Sequence, residues 1–364
     1  MTERMKSHFE PETGWLNDPN GLCYFRGQYH AFFQHYPYAP KWGPMHWGHA
    51  VSTDLVHWEE LPIALAPEEP YEKSEQGGGC FSGSAVVKDG VLYLFYTSVS
   101  DALGQTQSVA TSRDGVHFTK YEGNPVIAHF PEEGSADFRD PKVSLFGDTY
   151  YMVCGSGKDG VGKVLLYASK DLLHWDYRGV LIQGEQFGGV VECPDFFPFG
   201  EGALLMFSKM NRVFHATQFV YGDFVGEKFV PRREFTVEAG PDFYAPQTFL
   251  APDGRRLMIG WLYSWRRKVK EGAKRAGALT LPRELTMADG VLRAAPVGEA
   301  APLLAGEDPL VRRTEGGFIL SCNWETPMEY VGRVEKLEIL RDGPVLEVFV
   351  NGGEANFSTW IDRE

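Results

Sequence analysis

Apolar and polar positions alternate along this chain in short runs, and glycine-containing turns break the runs. Leu22–Phe33 turns at Arg26-Gly27, Ser84–Tyr96 at Lys88-Asp89-Gly90, and Val143–Val153 at Gly147-Asp148. Phe196–Phe207 turns at Gly200-Glu201-Gly202, and Thr248–Trp261 at Pro252-Asp253-Gly254. Runs rich in β-branched and aromatic residues on either side of such turns predict β-hairpins. The turn glycines at 27, 90, 147, 200 and 254 are 63, 57, 53 and 54 residues apart. That interval is about one propeller blade, and sustained helical periodicity is almost absent. The pattern predicts an all-β fold, a five-bladed β-propeller over residues 1–297.

A second phrase keeps the same rhythm. It reads Ser52-Thr-Asp54-Leu-Val-His57-Trp58, then Ser112-Arg-Asp114-Gly-Val-His117-Phe118, then Ser169-Lys-Asp171-Leu-Leu-His174-Trp175. Its histidines, each beside an aromatic, read as blade-packing residues. His46 and His49 fall nearer the expected pocket. Residues 298–308 are small and contain proline, as a linker or short helix would be. Strand-like runs follow at Gly317–Trp324, Val334–Leu340, Val345–Val350 and Ala355–Ile361. Residues 298–364 therefore read as a short, truncated-looking β-sandwich-like domain, too small for two full sheets.

Composition narrows the function. The chain has 364 residues, 43% hydrophobic and 23% charged, with a net charge of −14. Such a charge repels phosphate backbones and anionic lipid, so neither nucleic acid nor a membrane is the expected partner. No apolar run is long enough to span a bilayer. The first residues lack an apolar signal core, and the five cysteines form no Cys-x-x-Cys, so a cytoplasmic location is expected. Oligomeric state is not legible, and a homo-oligomer remains open. Gly155-Ser-Gly157-Lys-Asp-Gly160 matches a nucleotide-loop pattern. It lies between strand runs with no helix behind it, so it reads as a hairpin. No metal-ligand spacing occurs, and neither metal nor cofactor is expected.

The segments that open the blades carry the chemistry. Blade one opens Trp15-Leu-Asn17-Asp18-Pro-Asn-Gly21, and blade two Gly79-Cys-Phe81-Ser82-Gly-Ser84. Blade three opens Phe138-Arg139-Asp140-Pro141, blade four Glu192-Cys-Pro-Asp195, and blade five Asp242-Phe-Tyr244-Ala-Pro-Gln247. A radial fold would gather Asp18, Asp140 and Glu192 at one mouth of the central channel. Crowded carboxylates repel, which holds a proton on at least one of them near neutrality. Paired carboxylates with opposed roles are the equipment of glycoside hydrolysis.

With these motifs the chain resembles glycoside hydrolase family 32, the β-fructofuranosidases. Trp47-Gly-His-Ala50, Leu281-Pro-Arg-Glu-Leu285 and Val345-Leu-Glu-Val-Phe-Val-Asn351 extend the match. The resemblance implies Asp18 as nucleophile, Glu192 as acid/base and Asp140 as transition-state stabiliser. It implies Asn17, Gln34, Trp42, Phe81, Ser82 and Arg139 as substrate-binding residues, with Tyr244 and Trp261 on the blade-five wall. The implied substrate is a small carbohydrate, sucrose, its 6-phosphate or a short fructan. Two other readings stand beside it: an arabinan-type propeller glycosidase and a non-catalytic fructan-binding propeller. The family's C-terminal sandwich is expected to be incomplete here. The basic stretch Trp265–Arg275 reads as a solvated loop, or as a lure for a substrate phosphate.

Overall fold

The computed structural model describes residues 4–322 and 327–361. Five sheets follow one another along the chain, each built of four antiparallel strands running from an inner strand outward, and the first and last carry a short fifth strand. Their inner strands are Gly14–Phe25, Gly79–Lys88, Phe138–Phe146, Val191–Phe199 and Tyr244–Leu250. Each expected turn lies between the inner strand and its neighbour, as at Arg26-Gly27 between Gly14–Phe25 and Gln28–Tyr36. The nucleotide-loop mimic is the hairpin between Thr149–Lys158 and Val161–Ser169. Blade five departs from the simple hairpin pattern. Its third and fourth strands, Arg283–Ala288 and Val291–Pro296, come only after a long excursion from Leu262.

Between neighbouring sheets lie apolar clusters, such as Phe32, Trp47, Leu94 and Tyr96 between blades one and two. Large aromatic rings fill these wedge-shaped spaces, which accounts for much of the aromatic content. The histidines of the repeated phrase depart from the expectation. His57, His117 and His174 have 77%, 86% and 83% exposed side chains. Each gives Nδ1 to the aspartate three residues earlier, while that aspartate accepts the backbone N–H groups that follow it. The phrase is thus a capped turn at the blade rim. The aromatic beside each histidine does the packing. His49 also sits away from the pocket. It is fully buried and stacked 4.1 Å from Phe32, and burial holds its pKa down at about 3.

After a 3-10 helix at Gly298–Leu303, two three-stranded sheets form. One is Val311–Thr314, Gly317–Leu320 and Met328–Val331; the other is Leu337–Asp342, Val345–Val350 and Ala355–Trp360. Two sheets do therefore assemble, each reduced to three strands, and one apolar cluster joins them around Phe318, Leu346 and Phe357. The expected run to Trp324 ends outside the described residues.

A buried polar seam ties these sheets to the propeller. The Asp342 carboxylate accepts the backbone N–H groups of Lys6, Ser7 and His8. The His8 ring bridges Asp342 at 3.1 Å and Glu347 at 2.9 Å. Arg283, fully buried, pairs with Glu238 and Glu347, each at 2.6 Å. The ring is also closed at the start of the chain. Gly14-Trp15 pairs in parallel with Arg275-Ala276, and the Leu279 N–H donates to the Phe9 carbonyl.

Candidate active site

Every inner strand bulges at the same height. The register slips between Leu16 and Pro19, between Cys80 and Gly83, and between Arg139 and Lys142. It slips again between Glu192 and Asp195, and between Tyr244 and Gln247. Four of these segments contain a proline (Pro19, Pro141, Pro194, Pro246), which has no N–H to give the ladder. Asp140, Cys193 and Ala245 stand there at φ 64°, 47° and 49°. That left-handed backbone is costly for residues with a Cβ, and such strain gathers at functional sites. The bulges turn Asp18, Ser82, Asp140 and Cys193 toward one another.

Cys193 lies at the centre of the group. Its thiol is 3.6 Å from Asp18 Oδ2 and 3.5 Å from Asp140 Oδ2, and its N–H donates to Asp140 Oδ2 at 2.8 Å. Asp18 Oδ2 accepts the Ser82 hydroxyl at 2.7 Å. Burial raises the Asp18 carboxyl above its ordinary value; Ser82 and Asn17 pull it down and Glu192 pushes it up. Asp140 is pushed up to about 7, first by burial, against Arg139, with Glu192 and Asp18 adding repulsion. Its own N–H donates to Thr97 Oγ1 on blade two.

Glu192 is held from two sides. Arg139 donates to Oε1 from Nη2 at 2.9 Å and Nε at 3.2 Å, and the Tyr244 hydroxyl donates to Oε2 at 2.5 Å. Arg139 is held in turn by Asp137 at 2.6 Å and Gln105 at 3.3 Å. The Asn17 side chain accepts the Trp15 indole N–H at 2.7 Å. Gln34 donates to the Cys80 carbonyl at 3.0 Å, and Trp42, partly exposed, meets the edge of Phe81 at 6.0 Å. The exception is Trp261. It is fully buried among Trp15, Tyr244, Tyr263 and Trp265, so it backs the blade-five wall without facing the channel. The surface beside it is Trp265, about half exposed and stacked 5.4 Å from Trp15.

Sequence reasoning did not find Thr97, Gln105 or Trp265. The buried run Thr97-Ser98 facing Thr106-Gln107-Ser108 was a readable signal, since polar residues are rare in a closed wedge.

Residues 8–296 match the glycosyl hydrolases family 32 N-terminal domain. The chain belongs to glycoside hydrolase family 32. Among the similar family members is a sucrose-6-phosphate hydrolase of Escherichia coli, 43% identical over 84% of this chain and 67% of that protein. Another, from Zymomonas mobilis, is 42% identical over 92% of this chain and 69% of its own. A family 32 β-fructofuranosidase of Bombyx mori, solved as a mutant in complex with sucrose, superposes with a TM-score of 0.86. It is 33% identical and covers 99% of this chain and 89% of its own. Family 32 membership makes the protein a glycoside hydrolase and the bulge ring its candidate centre.

Proposed function

We propose that the protein is a retaining β-fructofuranosidase that releases terminal β-D-fructofuranosyl residues through a covalent intermediate on Asp18. The observation that carries this is the pair Asp18 and Asp140 on either side of the Cys193 thiol, with Glu192 on the same bulge. Asp18 attacks the anomeric C2 as the glycosidic C2–O bond breaks; the leaving oxygen keeps the bonding electrons and takes the proton of Glu192. Glu192 then removes a proton from water. The water oxygen bonds C2, and the C2–Asp18 bond returns its electrons to the carboxylate. Asp140 holds fructosyl hydroxyls and offsets positive charge in both transition states. Asn17, Gln34, Trp42, Phe81, Ser82 and Tyr244 line the fructose pocket, Arg139 fixes Glu192, and Trp261 supports the wall.

The test is the anomer released. Nuclear magnetic resonance should show β-fructofuranose as the first product from sucrose; α-fructofuranose would exclude the covalent route.

The relatives' names and the sucrose-bound neighbour support sucrose and its 6-phosphate as substrates, with short fructans beside them. The loop after Leu262 favours the phosphorylated sugar. Arg267 and Arg275 anchor it inward on Asp242 and Glu10, while Arg266, Lys268, Lys270 and Lys274 stay exposed on the same loop as Trp265. In Arg266→Ala/Lys268→Ala the ratio of kcat/KM for sucrose 6-phosphate over sucrose should fall roughly tenfold or more. Equal efficiency on the two sugars in the unsubstituted protein would remove this preference.

Residues 1–297 are then the catalytic propeller and 298–364 a C-terminal β domain. The cysteines described are free thiols, four of them buried, which suits the cytoplasm. The net charge of −14 supports a small carbohydrate as partner ahead of nucleic acid or a membrane.

A further inference from the structure

Two positions after Asp18, Ser82, Asp140, Cys193 and Ala245 stands a second polar residue on each inner strand. The five are Asn20, Ser84, Lys142, Asp195 and Gln247, all buried. Their bonds run from blade to blade around the channel, one layer below the carboxylates. The Gly83 N–H donates to Asn20 Oδ1 at 3.3 Å, and Gln247 Nε2 donates to the Gly83 carbonyl at 2.6 Å, joining blades one, two and five. Gly83 is suited to this place, because a Cβ there would lie 1.9 Å from the Phe95 carbonyl oxygen. Ser84 donates to the Pro141 carbonyl at 2.8 Å and accepts the Val143 N–H at 3.1 Å, joining blades two and three. The Lys142 ammonium reaches Asp195 Oδ2 at 3.1 Å and the Thr248 carbonyl at 2.5 Å. The same Asp195 oxygen accepts the Thr248 N–H at 2.6 Å and its hydroxyl at 2.9 Å. Blades three, four and five are joined there.

Three atoms of this girdle are buried without a protein partner: Asn20 Nδ2, Asp195 Oδ1 and Gln247 Oε1. Native interiors leave few such groups unmatched. Asn20 and Gln247 grip the same glycine, and Thr248, next to Gln247, grips Asp195, so the three residues belong to one bonded chain. One amide donor and two acceptors, with an ammonium beside them, suit a single water molecule.

We propose that the girdle is the positioning layer of the active site. In it Lys142 and Asp195 fix the spacing of the strands that carry Asp140 and Glu192, and one enclosed water completes the ring. That water accepts from Asn20 Nδ2 and donates to Asp195 Oδ1 and Gln247 Oε1. The inference rests on the fructosidase reading for its kinetic test alone.

The deciding variant is Lys142→Met, which keeps the stem and removes the ammonium. Thr248 still donates twice to Asp195, so an unbalanced negative charge is left under the site. The groups facing this layer are Asp18, Asp140, Glu192, Arg139, Cys193 and Tyr244 above, and Arg256 and Cys23 beside it. Extra negative charge makes the carboxylates above harder to ionise. On sucrose, kcat should fall about tenfold or more with KM nearly unchanged, and the acid limb of the pH–rate profile should move to higher pH. A loss of activity that follows the melting curve with an unmoved limb would overturn the proposal, as would an unchanged kcat. If Lys142→Met does not fold, Lys142→Met/Asp195→Leu replaces the pair by apolar side chains. It should keep the kcat loss with the limb near its original pH, and full kcat would overturn the positioning role. A crystal structure of the unsubstituted protein should show one density peak among the three atoms. An empty site there would remove the water from the proposal. No fructose release from the unsubstituted protein would overturn the fructosidase reading, and the density peak would still decide the water that completes the girdle.

Discussion

Asp18→Asn should abolish fructose release from sucrose, by on the order of 10⁴-fold or more, as loss of a covalent nucleophile does. The protein should remain folded, and its melting temperature should equal or exceed that of the parent. Asp18 Oδ1 is buried with no partner, and its carboxylate repels Asp140 and Glu192. An amide of the same shape carries no charge and relieves that repulsion. Strain of this kind is retained for catalysis at the expense of stability. Calorimetry beside a fructose and glucose assay checks both halves. Residual turnover above about one per cent of the parent would exceed what loss of the nucleophile allows. A lower melting temperature would mean that the carboxylate holds the ring together.

Arg283→Met should cost about 3–5 kcal/mol of stability, because it leaves Glu238 and Glu347 buried without their cation. The side chain of Arg283 is fully enclosed and also packs over Phe243 and Phe349. The pH dependence makes the prediction specific. Burial acts against the charge on Glu347, but Arg283 and His8 bring it down to about 2, from an ordinary 4.5. Burial likewise opposes the charge on Asp342, and His8 with backbone N–H groups brings it to about 2, from 3.8. These carboxylates stabilise the fold fully above about pH 4.5 and lose that effect as pH falls through 2. His8 moves the other way, raised from 6.5 to about 9 by Asp342 and Glu347 against its burial. Its contribution is complete below pH 6.5 and lost as pH rises through 9. The seam is therefore strongest between about pH 4.5 and 6.5. In Arg283→Met Glu238 loses its cation and Glu347 keeps only His8, so protonation relieves the buried charge and the stability deficit should narrow as the solution is acidified. Denaturant titrations of both proteins from pH 4 to 9 would show it. A deficit constant with pH would mean that packing over the two phenylalanine rings, and not charge, is what Arg283 supplies.

The blades were legible because each repeats the same local chemistry, a turn glycine between two β runs, and the eye needs only a period to find them. Asp18, Asp140 and Glu192 were legible for the same reason, as unusual residues at one repeat position. What escaped has no period. The seam joins His8, Glu238, Arg283, Asp342 and Glu347, five residues brought together by the fold, and no local pattern distinguishes them from surface charges. Trp261 was placed on the blade-five wall, but strand alternation could not say which side of a crowded wall it takes; the structure encloses it. The rim histidines misled for the opposite reason: a true repeat was read as packing, and their exposure shows that the repeated element is the turn itself.

The strand that carries Asp18 precedes every other described strand, and one of its two edges is covered only much later in the chain. Its partner Arg275-Ala276 is made some 260 residues later, and Leu279 and Asp342, which bind the preceding residues Phe9 and Lys6 to His8, later still. During synthesis blade one presents an open β edge, which invites mispairing and chaperone attention. Its nucleophile waits on a strand paired along one edge alone, with Gln28–Tyr36, until the chain's final third has emerged to cover the other.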